Sequence, residues 1–167
     1  AKHYRETSIP LMVNYTRRWD QQVRALAEQL ASGEWGRVRS ACSVYNKGLY
    51  NNGSHMLDLL TLLLGPLTVV AAGPGRTDMW DADPSIPALL LSADGGPVTL
   101  NCGHAADYSL FELELVTERG TVKMENGGLD WQFRRAEPSP TFAGYQALSA
   151  PEHQNGTLGG AALAAVH

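Results

Sequence analysis

The chain has 167 residues, of which 44% are hydrophobic and 18% are charged, and its formal net charge is −4. This composition predicts a folded domain with a sizeable core and excludes a disordered chain. Nucleic-acid binding needs a basic surface, and the longest basic clusters are the pairs Arg17-Arg18 and Arg134-Arg135, so that class of function is excluded. Cys42 and Cys102 have neither metal-ligand spacing nor a disulfide framework, which is typical of buried thiols in a reducing compartment.

No stretch of the sequence predicts a secretory leader or a membrane span. The first residues are polar, and the most apolar stretch, residues 57–72, contains Asp58 and is interrupted by Gly65-Pro66. A transmembrane helix needs about 20 consecutive apolar residues. We therefore expect a cytoplasmic protein.

The N-terminal third predicts a strand followed by an amphipathic helix. Residues 9–15 form a short apolar run typical of a β-strand. Asp20 can cap the next helix, because its carboxylate can accept hydrogen bonds from the unpaired N–H groups of the first turn. Apolar residues then recur on one helix face, at Val23, Leu26, Ala27 and Leu30. Gly33 is a typical helix stop.

A second helix is predicted between two further strands. Residues 38–45 and residues 67–72 have the character of strands. Between them, a helix is expected to start near Asn51 or Asn52 and to be closed by Gly65-Pro66.

After a predicted loop at residues 73–87, the hydrophobic period changes to two. Five strand candidates follow, joined by short turns that contain glycine, at residues 88–93, 98–102, 110–117, 121–125 and 129–134. They predict an antiparallel meander with one apolar face that needs covering. From residue 136 the pattern fails, so an irregular tail is expected, ending at residues 159–167 with the first turns of a helix.

The segment that joins the second strand to the second helix is the candidate site. If the helix starts at Asn51, then Asn51 and His55 lie four residues apart on one face, and Asp58 lies three residues beyond His55. An imidazole near a helix start, with a polar partner one turn away, suits proton transfer near neutral pH. Lys47 and Tyr50, in the preceding loop, are candidates for binding hydroxyl or phosphate groups.

Each of these residues also has a structural interpretation. A histidine at a helix start is more often a structural hydrogen-bonding group than a catalyst. The alternatives for its neighbours are turn and cap roles for Asn51 and Asn52, core positions for Tyr45 and Tyr50, and a solvated charge for Lys47.

Other chemistries have weaker support. His55 and Asp58 supply at most two metal ligands, whereas a zinc site needs three or four, so a metal-dependent hydrolase built on these residues and His104 is the least favoured interpretation. The sequence contains neither a Gly-x-Gly-x-x-Gly loop after a strand nor a Gly-x-Ser-x-Gly motif.

Three stretches together resemble a known family. The stretches are VNYTRRWD, LAEQLASGEWGRVRSACSVYNKGLYNNGSHMLDLLTLLLG and ELELVTERGTVKMENGG. Their order and spacing resemble the region after the nucleotide-binding domain in Gfo/Idh/MocA oxidoreductases, which use NAD(P). The resemblance covers about residues 9–135. It implies an α+β fold with a large, mostly antiparallel β-sheet and helices packed on one face, as in GAPDH C-terminal domains. It further implies that residues 1–16 end a Rossmann domain, that residues 17–135 form the C-terminal substrate-binding and oligomerisation domain, and that residues 136–167 are a tail with a truncated helix.

The resemblance also implies roles for site residues. His55 matches the family's catalytic histidine, which takes the proton of the substrate hydroxyl as hydride leaves to the nicotinamide. Asn51 stands where many members have Asp; an amide can orient the imidazole but adds no negative charge to stabilise imidazolium. Asp58 matches a structural partner, and Arg17 is assigned to the cofactor. The candidates for substrate contact are Lys47, Tyr45, Tyr50 and Asn52.

The implied function is therefore the substrate-binding and oligomerisation domain of an NAD(P)-dependent dehydrogenase that acts on a sugar or polyol-like substrate. NAD or NADP is expected in the full-length protein and not in this chain alone. The expected partners are a small-molecule substrate and a second copy bound through the sheet face, giving a dimer, with no nucleic acid and no membrane. The alternative is a non-enzymatic ligand-binding or assembly module of the same fold.

Overall fold

A computed structural model of the protein describes residues 2–7, 9–10 and 12–156. The described part contains three α-helices, namely α1 (Lys2–Thr7), α2 (Gln21–Ala31) and α3 (Ser54–Leu64). Its strands are β1 (Val38–Tyr45), β2 (Thr68–Ala72), β3 (Arg76–Trp80), β4 (Asp83–Ser85), β5 (Ala88–Leu91), β6 (Pro97–Cys102), β7 (Phe111–Thr117), β8 (Gly120–Glu125), β9 (Asp130–Pro138), β10 (Gln146–Leu148) and β11 (Glu152–Asn155).

Nine of the strands form one large sheet. Their order is β10-β9-β8-β7-β1-β6-β5-β2, with β11 also paired to β9, while β3 and β4 form a separate hairpin. Every pair in the large sheet is antiparallel except β1 with β6. The expected α+β class with a mostly antiparallel sheet is therefore confirmed.

The central strand β1 interrupts the predicted meander. Cys42 on β1 lies opposite Thr99 on β6 on one side and opposite Glu114 on β7 on the other. An alternating pattern shows which residues share a sheet face, but it does not show which strands are neighbours. The strands predicted to follow one another directly are thus divided into two groups by a strand from earlier in the chain.

Helices α2 and α3 cover one face of the sheet. Asp20 caps α2 as predicted, since its Oδ1 accepts hydrogen bonds from the backbone N–H groups of Gln22 at 2.8 Å and Val23 at 3.2 Å. Gly65, with φ 76°, closes α3 as expected. The core joins the apolar faces of both helices to alternate sheet residues, including Val23, Leu26, Met56, Leu59, Leu60, Leu90, Val98, Leu113, Leu115 and Val122. Burial of this apolar surface holds the helices on the sheet.

Three predictions of local structure are wrong. Residues 9–10 and 12–15 belong to no strand, and Met12 and Val13 are exposed; no strand of the sheet lies alongside to satisfy their backbone groups. The predicted loop at residues 73–87 contains the hairpin of β3 and β4. Cys42 is exposed on the uncovered sheet face rather than buried.

The tail after residue 135 is more regular than predicted. Strand β9 continues to Pro138, and β10 and β11 pair with successive parts of it. Pro138 is tolerated because it is the last residue of β9, beyond the part that pairs with β8, and Pro140 and Pro151 lie outside the strands. The expected helix at residues 159–167 lies outside the described residues. None of the helices in the described part combines the length and apolar character needed to cross a membrane.

Candidate functional site

A cavity of about 380 Å³ lies where the starts of α2 and α3 meet the turn between β8 and β9. Three stretches line it, contributed by residues 14–23, 51–55 and 124–131. Its volume lies within the range of roughly 300–1,000 Å³ that is usual for small-molecule sites. It contains His55, Asn51, Asn52 and Arg17, four of the predicted site residues.

Helix α3 begins at Ser54, later than predicted. Residues Gly48–Gly53 form a wide helical turn, within which Asn51 has a non-helical backbone (φ −84°, ψ −105°). Asn51 and His55 therefore do not share a helix face. Both nevertheless line the same cavity.

The hairpin of β3 and β4 explains the late helix start. The carboxylate of Asp83 accepts hydrogen bonds from the backbone N–H groups of Tyr50 at 2.8 Å and Asn51 at 3.1 Å, and the Ser85 hydroxyl accepts one from Gly48 at 3.1 Å. These N–H groups are paired with side chains of the hairpin, so they do not need the backbone hydrogen bonds of a regular α-helix.

His55 lies in the first turn of α3, with its Nδ1 buried and without a hydrogen-bond partner among the described residues. Its ring meets Tyr15 edge-on, with centroids 5.1 Å apart and an interplanar angle of 86°. Burial lowers the pKa of His55, the positive charge of Arg17 lowers it further, and Asp58 opposes both. The imidazole is therefore neutral near pH 7. The expected hydrogen bond that would let Asn51 orient it is not formed.

Asp58 is held by an arginine rather than by His55. Arg18 donates two hydrogen bonds to its carboxylate, from Nε to Oδ2 at 3.0 Å and from Nη2 to Oδ1 at 2.7 Å. Asp58 thus has a structural contact, although with a side chain rather than with the backbone, and it acts on His55 through its charge.

Arg17 enters the cavity from the turn before α2. Its Nε donates to the carbonyl of Gly127 at 3.2 Å, and its Cζ lies 3.5 Å from the ring centroid of Phe111. Burial lowers the pKa of Arg17 to about 10, so the guanidinium remains charged at neutral pH. Its assignment to the cofactor stays a prediction.

The substrate-contact prediction is wrong for Tyr45. Its side chain is fully buried, its hydroxyl accepts a hydrogen bond from the Ile86 N–H at 2.8 Å and donates one to the Ile86 carbonyl at 3.1 Å, and burial raises its pKa. It is a core aromatic.

The other three candidates for substrate contact differ in whether they line the cavity. Tyr50 is 78% exposed, so it is not a core aromatic, and it does not line the cavity. Lys47 has a left-handed backbone (φ 69°), its N–H donates to Asp78 at 2.6 Å, and it too lies outside the cavity lining. Of the four predicted substrate contacts, Asn52 is the residue that lines the cavity.

Several residues that line the cavity were not predicted from the sequence. Asn14 stands in the run interpreted as a strand, and Gly127 and Gly128 were interpreted only as a hairpin turn. Their participation depends on contacts between residues far apart in the chain, such as the hydrogen bond from Arg17 to Gly127. The further lining residues that the sequence did not predict include Thr16, Met124, Leu129 and Trp131.

His104 is exposed near the end of β6, where its Nδ1 accepts a hydrogen bond from the Ala106 N–H at 3.1 Å. It lines no part of the cavity that contains His55. Across the described residues, no group of three or more His, Cys, Asp or Glu side chains is placed to hold a metal ion.

The turn between β1 and α3 does not fit a dinucleotide phosphate. A dinucleotide loop uses glycines so that the pyrophosphate can approach the backbone closely. A Cβ on Gly48 would fall on the carboxylate of Asp83, and one on Gly53 would lie 2.9 Å from the ring of Tyr45. Both glycine faces are therefore filled by the protein itself.

Comparison with known proteins shows that the chain is similar to dehydrogenases. No family model matches the chain. The chain is 30% identical over 132 residues to D-apiose dehydrogenase from Paraburkholderia graminis, a match that covers 67% of this chain and 35% of that protein.

Two solved structures have a similar fold. The WlbA dehydrogenase from Bordetella pertussis, solved with NADH and UDP-GlcNAcA, has a TM-score of 0.66 at 19% identity, over 84% of this chain and 48% of that one. Levoglucosan dehydrogenase, solved with NADH and L-sorbose, has a TM-score of 0.61 at 18% identity, over 85% of this chain and 48% of that one. The chain thus spans about a third of its curated relative and about half of these structures. The resemblance seen in the sequence is confirmed, because the matching proteins are NAD(P)-dependent oxidoreductases of the Gfo/Idh/MocA type and this chain has the fold of their C-terminal region.

Proposed function

We propose that the chain is the substrate-binding and oligomerisation region of an NAD(P)-dependent dehydrogenase acting on a sugar or polyol-like substrate by hydride transfer. The observation that carries the proposal is the position of His55, a neutral imidazole in a cavity that also presents the amides of Asn51 and Asn52. D-apiose dehydrogenase and levoglucosan dehydrogenase are named for sugar substrates, which supports this substrate class.

His55 is suited to take a proton from a substrate hydroxyl. It is neutral near pH 7, so the ring has a free lone pair. Its buried Nδ1 has no acceptor among the described residues, and a doubly protonated ring would leave one N–H unsatisfied. The ring is therefore expected to release its proton readily after each turnover. The side-chain amides of Asn51 and Asn52 can donate to and accept from substrate hydroxyls.

The nicotinamide cofactor, when bound, accepts or donates the hydride. The residues around Gly48 and Gly53 do not fit its pyrophosphate, so we place its binding loop in a part of the protein outside this chain. The isolated chain is expected to bind NAD(P) only weakly and to turn nothing over. Calorimetry that measured micromolar binding of NAD(P) to the isolated chain would contradict the proposal that the cofactor is bound mainly by residues outside this chain.

The central experiment replaces His55 in the full-length protein. His55→Gln should lower kcat by about 100-fold or more, the usual contribution of a general base, with little change in the denaturation midpoint. His104→Gln is the matched control, because His104 is exposed and outside the cavity. Turnover of His55→Gln at the rate of the control would remove His55 from the mechanism.

The uncovered face of the sheet is the proposed contact with a second copy. Leu89, Leu91 and Val116 are exposed there at 39%, 36% and 37%, and two such faces can pack together across a two-fold axis. Light scattering should detect a dimer that Leu91→Lys converts to monomer. Met79→Lys is the control, since Met79 is exposed on the separate hairpin. A monomeric protein at high concentration would rule out this contact.

One observation favours the alternative of a non-enzymatic binding module. Within the described residues, no carboxylate hydrogen-bonds His55, because Asp58 is occupied by Arg18 and position 51 is an amide. In that case the wild-type protein would bind its ligand without turnover, and His55→Gln would change the affinity alone.

A further inference from the structure

Arg17 is a cation without a carboxylate partner in the part of the chain that the structure describes. All 17 acidic side chains of the protein lie within the described residues, and none of them forms an ion pair with Arg17. Its described contacts are the Gly127 carbonyl and the face of Phe111. A guanidinium carries five N–H donors, so most of the donors of Arg17 remain available.

The guanidinium of Arg17 is less well solvated than that of an exposed arginine. Burial lowers the pKa of Arg17, which means that the charged form is poorly solvated in its place. The ring of Phe111 compensates in part through a cation–π contact. A neutral side chain would fill the same volume without this cost. A bound anion would remove the cost and satisfy the remaining donors.

The walls of the cavity leave space beside the guanidinium. Gly127 and Gly128 have positive φ values of 70° and 100°, and neither carries a side chain that could cover Arg17. Asp20 is the acidic residue among those lining the cavity, and its Oδ1 is occupied by the N–H groups at the start of α2. The cavity residues on the side of α3 are Asn51, Asn52 and His55. None of their side chains carries a negative charge that could pair with Arg17.

We propose that this cavity binds an anionic group, a carboxylate or a phosphate, at Arg17, and that the anion belongs to the substrate. The inference rests on the proposed function and narrows its substrate class to sugar acids or sugar phosphates. Because Arg17 and His55 line one cavity, a ligand held by its anionic group at Arg17 can present a hydroxyl to the imidazole. Bidentate pairing with the planar guanidinium would fix the orientation of that ligand.

Binding of the anion also has a chemical consequence for His55. The charged groups that act on the imidazole are Arg17 from the turn before α2 and Asp58 from its own helix, while Asp20 lines the same cavity and the uncharged ring of Tyr15 packs against its edge. An anion at Arg17 offsets the positive charge that lowers the pKa of His55. The imidazole therefore becomes a stronger base when the substrate is bound.

The first test asks whether Arg17 binds anions at all. The side-chain Nε–H resonance of Arg17 should shift saturably when inorganic phosphate or D-glucuronate is added, whereas that of Arg18, which is paired with Asp58, should not. Raising the salt concentration should weaken the response. An Arg17 resonance that responds to neither anion would overturn the proposal.

The second test asks whether a carboxylate is preferred over its neutral equivalent. Calorimetry should compare three uronates, glucuronate, galacturonate and mannuronate, with the corresponding neutral hexoses. We expect at least one uronate to bind about 10-fold or more tightly than its hexose, the usual strength of a charge-assisted hydrogen bond. Arg17→Gln should abolish this preference, Arg17→Lys should keep part of it, and Arg24→Gln, at an exposed position on α2, should leave it unchanged. A preference that survives Arg17→Gln, or equal binding of all pairs, contradicts the proposal.

The third test identifies the source of the anion in the full-length protein. If the anion belongs to the substrate, Arg17→Gln raises the KM for the substrate and leaves the KM for NAD(P) unchanged. A raised KM for NAD(P) alone would assign Arg17 to a cofactor phosphate and overturn the substrate assignment. Failure of the proposed function has a different signature: His55→Gln would keep normal turnover while the anion response of Arg17 stayed intact. Circular dichroism of each variant confirms that the fold is preserved.

Discussion

Arg18 holds Asp58 through two hydrogen bonds, from Nε to Oδ2 at 3.0 Å and from Nη2 to Oδ1 at 2.7 Å, and so ties the turn before α2 to the second turn of α3. The adjacent Arg17 points into the cavity instead and has no carboxylate partner among the described residues. Two neighbouring arginines thus differ: Arg18 pairs with α3, and Arg17 lines the cavity.

Removing the charge of Asp58 should destabilise the protein. Asp58→Asn leaves the Arg18 guanidinium with a neutral partner in a site where the carboxylate side chain is only 14% exposed, so the denaturation midpoint should fall by a few degrees. Glu28→Gln, at an exposed position of α2, is the control and should change little. A midpoint equal to that of the control would mean that the pair does not hold α3 in place.

The stability of the protein should depend on pH through His55. Its pKa in the folded protein lies below the value of 6.5 expected for the unfolded chain, because burial disfavours the charged ring. The contribution of the neutral imidazole is therefore fully present above pH 6.5 and is lost as the pH falls from 6.5 towards the folded pKa.

Urea denaturation of wild type and His55→Gln between about pH 8 and pH 5 measures this effect. The wild type should lose free energy of unfolding relative to the variant on the acid side of pH 6.5. A difference between the two proteins that stays constant across the range would show that His55 is not buried as described.

The variant Tyr45→Phe tests whether Tyr45 is a core residue or a substrate contact. The change leaves the N–H and carbonyl of Ile86 without the hydroxyl that pairs with both, and an unsatisfied buried group costs about 1–3 kcal/mol. We expect a lower free energy of unfolding and an unchanged KM for the substrate. Tyr50→Phe is the matched control, because Tyr50 is exposed and should tolerate the change.

Gly48→Ala tests the turn that carries Asn51 and Asn52. Gly48 has φ 88°, and a Cβ there would meet the carboxylate and the backbone carbonyl of Asp83. Gly95→Ala is matched in backbone conformation, with φ 80°, but a Cβ there meets nothing within 4 Å. The control should lose about 1–2 kcal/mol from backbone strain, and Gly48→Ala should lose clearly more. Equal losses would mean that the contact with Asp83 does not hold the turn.

Much of the fold could be predicted from the sequence because local rules decide it. Asp20 caps α2 through N–H groups two and three residues away, and Gly65 ends α3 where its positive φ is needed. The bounds of β1 and the alternating face of β7, with Leu113 and Leu115 buried, follow from a period of two. The place of His55 near the start of a helix was predicted in the same way, and it lies in the first turn of α3.

The rest depends on residues that are distant in the sequence. Neither periodicity nor capping determines that β1 separates β6 from β7, because alternation specifies a face and not a neighbour. Helix α3 starts at Ser54 rather than near Asn51 as predicted, because Asp83, some 30 positions later, supplies the acceptors for the N–H groups of the preceding turn.

The sequence by itself determined the bounds of β1, the cap of α2 and the end of α3, and it placed His55 near the start of that helix, because each depends on interactions within a few residues. Only the tertiary structure decided which of two adjacent arginines pairs with Asp58 and which enters the cavity, and that Tyr45 belongs to the core. The hydrogen bond from Arg17 to Gly127 spans 110 residues, and the chemical character of an arginine does not reveal whether its partner is a carboxylate, a carbonyl or a ligand. Packing of distant segments against one another settles that choice.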